Sequence, residues 1–178
     1  ILKNCVIQGG LTNVLIAMNG GTAHCEKTHF RDATDIGLTL MSNSEAHFEY
    51  CHFEQNKKVH LLVENSIVHL ENCELSKGNQ AIWVKSKSNA YLNNVKVHHH
   101  TGTQLVIQDH SLLDLKDCEI KQGEGNGIYA SEHSKIHLAQ TTVHHHTLPQ
   151  LWIQKSSLNV SECQIQHGNE SGIMLREY

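Results

Sequence analysis

The chain alternates apolar and polar residues in short runs. In "VHLENCELSKGNQAIWV" (68–84), Val68 and Leu70 flank His69, Glu71 and Asn72 interrupt, and Cys73 and Leu75 resume the alternation. Ser76 to Gln80 are polar, and Ile82 and Val84 then close the unit. Alternation with period two marks a strand with one buried face, and a two-residue gap between such runs marks a sharp corner. The pattern predicts three short strands per unit, joined by one tight corner and two looser turns.

The unit repeats. Laid out in steps of 22 to 23 residues, one column collects Cys5, Thr28, Cys51, Cys73, Val95, Cys118, Thr141 and Cys163. Two residues later Ile7, Phe30, Phe53, Leu75, Val97, Ile120, Val143 and Ile165 form an unbroken apolar column. A polar column runs through Ser44, Ser66, Ser88, Ser111, Ser134 and Ser156. A unit this small cannot bury its inner face alone, but stacked units bury a continuous core. The expected fold is therefore all-β, a parallel solenoid of about eight coils with three strands per coil, forming one domain over 1–178. At ~4.8 Å per coil the rod is roughly 38 Å long. A leucine-rich repeat shares the period and the "LENCEL" pattern. The second apolar pair in each unit, as in Ile82/Val84, Leu105/Ile107 and Ile128/Ala130, favours three strands over strand plus helix.

"GNGIYASEHSKIHLAQTTV" (125–143) and "VHLENCELSKGNQAIWV" resemble the right-handed parallel β-helix repeats of pectate lyases, polygalacturonases and the copper-maturation surface-antigen group. The register of that resemblance covers essentially the whole chain. It implies a right-handed coil. Enzymes of that fold use acidic clusters with Arg or Lys near the third strand, and line their polysaccharide cleft with it. The chain has two arginines, Arg31 and Arg176, neither beside a carboxylate cluster, and the paired-Asp and His-Gly patterns of polygalacturonases are not reproduced. "HG" at 167–168 stands without acidic partners, so no catalytic role is carried over.

Composition narrows the function further. The 178 residues are 39% hydrophobic, with a formal charge of −4, and contain no basic stripe to collect phosphates, which excludes nucleic acid as an expected partner. No apolar run approaches the ~18 residues of a membrane span. Neither "ILKNC" nor "SGIMLREY" reads as a cap for an open coil, so flanking domains of a larger protein, or another copy, are expected to cover the ends. In-register neighbours ~4.8 Å apart are poorly placed for disulfides, so the cysteine column reads as small thiols packed in a core. Unpaired thiols fit a reducing cytoplasm, whereas the pectinase resemblance implies export.

Function is sought on outward positions. On the third strand these are Ile16, Thr39, Leu62, Trp83, Val106, Tyr129, Trp152 and Met174, seven of eight apolar. A continuous apolar strip is expected to be covered by a protein partner, a second copy or a flanking domain, with polysaccharide stacking as the alternative. Histidine is the other anomaly, with sixteen residues. His24, His47 and His69 fall at coil spacing on the first strand. "HHHT" occurs twice, placing His98, His99, His100, His144, His145 and His146 in equivalent loops. These are expected to be solvated, with Zn²⁺ or Ni²⁺ binding or a response to mild acid as secondary readings. The best catalytic candidate is the turn where "QDHS" (108–111) and "SEHS" (131–134) align, stacking Asp109 over Glu132 and His110 over His133. The turns are short and offer little wall against water. The sequence therefore reads as a non-catalytic scaffold and interaction module without a cofactor, the alternative being a carbohydrate-binding or carbohydrate-modifying β-helix.

Overall fold

A computed structural model describes residues 1–10, 13–17 and 19–177, with the side chains of 13–16 excepted. The described residues contain three parallel sheets of eight strands each. In one representative coil, Ile67–Glu71 lies in the first sheet, Glu74–Ser76 in the second and Gln80–Lys85 in the third. Each strand pairs with its equivalent one coil away, setting Val68 on Ala90, Leu75 on Val97 and Ile82 on Leu105. The inward columns expected from the sequence form one apolar core running along the rod. Phe30 and Phe53 stack at 5.0 Å, and Phe48 meets Phe53 edge-on at 5.2 Å.

The corners explain the polar columns. At the first corner Tyr50, Asn72, Asn94 and Asp117 adopt positive φ of 51–54°. A non-glycine residue there costs about 1–2 kcal/mol. The conformation is held because each corner amide stays in the ladder: Asn72 N–H donates to Asn93 O at 3.1 Å and Asn94 N–H to Lys116 O at 3.0 Å. Asn94 Nδ2 also donates to Asn72 Oδ1 at 2.6 Å. In the cysteine column the side chain plugs the corner. Cys73 Sγ donates to Glu71 O at 3.2 Å while accepting from Cys51 N at 3.4 Å. Thr141 Oγ1 does the same between Ala139 O at 2.9 Å and Cys118 N at 3.3 Å. Serine performs this role at the third corner, where the N–H groups of Ser44, Ser66 and Ser88 each donate to the next coil's serine hydroxyl at 3.1 Å.

The turn between the second and third sheets follows a longer period than one coil. Successive coils carry, at two equivalent inward positions, Ala33/Gly37, Asn56/His60, Gly78/Ala81, His100/Gln104, Gly123/Gly127 and His146/Gln150. Large polar pairs alternate with small residues, and the large pairs are all buried. Each large pair fills the space its small neighbours leave. A Cβ on Gly78 would lie 2.8 Å from His60 Cε1, and one on Gly123 would lie 2.7 Å from Gln104 Nε2 and 2.9 Å from His146 Cδ2. Within the pairs Asn56 Nδ2 donates to His60 Nδ1 at 2.9 Å, and His146 Nδ1 donates to Gln150 Oε1. Gln104 Nε2 donates to Lys121 O at 2.7 Å.

Candidate functional site

Two outer faces of the rod gather unusual side chains. On the third sheet, Thr39, Leu62, Trp83, Val106, Tyr129, Trp152 and Met174 form one outward column in unbroken register. The backbone of Ile16 extends it by pairing with Thr39, but the Ile16 side chain lies outside the described residues. The column is less open than its sequence implies, because Leu62 and Val106 keep 9% and 7% of their surface and sit low between half-buried Trp83 and Tyr129. Neighbouring polar groups also lean onto the rings. Trp83 Nε1 donates to Gln108 Oε1 at 2.9 Å, and Lys85 Nζ stands 5.2 Å from the Trp83 ring centroid. Tyr129 and Trp152 meet edge to face at 5.8 Å, and the Arg176 guanidinium lies 5.4 Å from the Trp152 ring.

The first sheet carries a groove of about 770 Å³. Along its floor His24, His47, His69 and Tyr91 stack ring on ring, with centroids 4.9, 4.5 and 5.0 Å apart and planes within 13°. Parallel in-register pairing produces this ladder, since the outward side chains of aligned residues point the same way. Glu45 stands two residues before His47 and so on the same face. Its Oε1 lies 2.8 Å from His47 Nε2 and 3.5 Å from His69 Nε2. Burial, and then the adjacent His47, hold the His69 imidazole below its ordinary range.

The two "HHHT" segments do not form the solvated loop expected of them. Each starts on a strand and turns a corner, which sends its three imidazoles different ways. His98 Nε2 meets Glu74 Oε1 at 2.9 Å, and His144 Nε2 meets Glu119 Oε1 at 3.3 Å. His99 and His145 hold positive φ at the corner and are exposed. His100 and His146 point inward and are 0% and 1% exposed. His98 and His99 bring their Nδ1 atoms to 2.6 Å, but His100 is removed from both by its burial. Burial pushes the imidazoles of His60 and His100 down to about 3 and about 2, and lowers His146 as well.

The remaining candidates lie on an open ridge. Asp109, His110, Glu132 and His133 are all exposed at the third corner with positive φ. His110 stacks on His133 at 5.3 Å, as the alignment of the two turns implies. All six cysteines are free, and burial pushes the thiols of Cys25 and Cys118 up to about 12 and about 11, which keeps them protonated and unreactive. No helix among the described residues is long and apolar enough to cross a membrane.

Comparison with known proteins agrees with the stacked coils. The family model described as the right handed beta helix region matches residues 1–95 and 60–178, and the chain belongs to that family. No curated protein matches it.

Proposed function

We propose that this chain is a non-catalytic scaffold that associates with a second copy of itself through the outer face of the third sheet. The observation that carries the reading is the pairing this column allows with its own inverse. When two rods meet face to face and antiparallel, about an axis between Val106 and Tyr129, Trp83 falls opposite Trp152 and Leu62 opposite Met174. Two places after the column members, the same arrangement sets Glu64 opposite Arg176. Such a contact is isologous, the usual form of a two-fold dimer. Aromatic and Arg side chains are those that buried interfaces concentrate. Parallel strands hydrogen-bonded across every coil make the rod stiff, so the two faces meet without reordering.

Replacing Trp83 and Trp152 together by Ser tests this. Loss of the associated species with an unchanged circular dichroism spectrum supports the reading. A specific observation favours polysaccharide as the second reading: rings and amides are paired along the face, as in Trp83 with Gln108 and Tyr129 with Gln154. Loss of polysaccharide retention with unchanged mass would select that alternative and overturn self-association.

A further inference from the structure

The groove on the first sheet is a different feature from the proposed dimer face, and its chemistry is that of a cation site. We infer that Glu45, His47 and His69 form a binding site for a divalent metal ion of the zinc class. One oxygen donor and two imidazole nitrogens, one ligand atom from each residue, all lie within 4.8 Å of one another. Among the described residues this is the one such convergence of three His, Cys, Asp or Glu side chains.

The sheet explains why they converge. Glu45 and His47 project from the same face of one strand, Glu45–Glu49, and His69 projects beside His47 from the neighbouring strand, Ile67–Glu71. Glu45 Oε1 is already within 2.8 Å of His47 Nε2 and 3.5 Å of His69 Nε2, and tilting the two imidazoles out of their parallel stack brings all three donors onto one ion. The flanking rings limit the alternatives: His24 stacks on the far side of His47 and Tyr91 on the far side of His69.

Two further features fit a cation. The groove lining carries Glu26, Glu49, Glu71 and Asp114 against Lys3 and Lys116, and Lys3 is paired with Glu26 at 2.8 Å. The three donors are also only partly exposed, with side chains retaining 38–44% of their surface. Two imidazoles and one carboxylate suit zinc and its neighbours in the first transition series, and leave a coordination position for water.

Titrating the chain with Co²⁺ tests the assignment, because a protein-bound Co²⁺ of low coordination number absorbs strongly in the visible range. The expected result is one equivalent bound with such a spectrum, and an upward shift of the melting temperature by Zn²⁺. His47→Gln and His69→Gln should each remove the spectrum and the thermal shift, a larger effect than the roughly 10- to 100-fold affinity loss typical of removing an outer-shell partner. Glu45→Gln should weaken both, and His133→Gln should change neither. Circular dichroism establishes that each variant is folded. Absence of a Co²⁺ spectrum in the native chain, or a spectrum and thermal shift that survive His47→Gln and His69→Gln, overturns the proposal and assigns any uptake to other imidazoles.

Discussion

His60 and His100, from coils two apart, meet edge to face inside the rod with ring centroids 5.0 Å apart and both side chains fully buried. Their burial couples the stability of the fold to pH. A buried imidazole with a depressed pKa stays neutral in the folded state while the unfolded chain takes up a proton near the ordinary pKa of about 6.5. The unfolded state therefore binds more protons below that value, and stability falls as pH drops from about 6.5 toward the folded pKa, about 3 for His60 and about 2 for His100. Each such residue costs up to about 1.4 kcal/mol per pH unit across that window. Urea midpoints measured between pH 7.5 and 4 should decline below pH 6.5, and His100→Gln should make the decline shallower. A midpoint independent of pH down to 5 contradicts this.

The alternation of large and small residues beside those rings makes particular glycines intolerant of a methyl group. Gly123→Ala places its Cβ against Gln104 and His146, neither of which is at the surface. A loss of about 1–3 kcal/mol is expected, as for other overpacked cores. Gly172 occupies the place of Gly127 in the last coil, where the nearest atom to a new Cβ is Ile165 Cγ2 at 3.6 Å. Gly172→Ala should change stability by no more than about 0.5 kcal/mol. Equal effects of the two substitutions in urea unfolding contradict the packing described here.

The corner serines are expected to behave as structural hydrogen-bond partners. Ser134 Oγ donates to Ser131 O at 2.8 Å and accepts from Ser111 N at 3.3 Å. Ser134→Ala leaves both backbone groups unpaired in a buried corner and should cost about 1–3 kcal/mol. Ser157→Ala, at an exposed position on the neighbouring strand, serves as the control and should be near neutral. Unfolding of the two variants at one pH measures the difference.

Much of this architecture is legible in the residues, and the reason is the short period. The column Cys51, Cys73, Val95, Cys118 and its apolar companion Phe53, Leu75, Val97, Ile120 reveal strands, corners and register, because parallel stacking forces equivalent residues to superpose. The two-coil alternation is hidden in the same layout, since a single-coil column reading Asn56, Gly78, His100, Gly123, His146 looks random. Its one visible trace is the recurrence of "HHHT" two coils apart. Those residues read as surface because His-rich segments are polar, whereas the corner turns His100 and His146 inward beside glycines that leave them room.

The histidine ladder is half legible. Coil spacing aligns His24, His47 and His69, but the role of Glu45 depends on a relation along one strand, two residues before His47, that columns do not show. The openness of the third-sheet strip is overstated by sequence for a steric reason. Outward Leu62 and Val106 are short beside Trp83 and Tyr129, so an apolar residue on an outer face need not be an exposed one.

The mass of the native chain in solution, measured by light scattering over a range of concentrations, tests the proposed scaffold role most directly. The expected result is a rise from the 20.0 kDa of one chain to twice that value, reversed by Trp83→Ser with Trp152→Ser. A mass of 20.0 kDa at every concentration contradicts it.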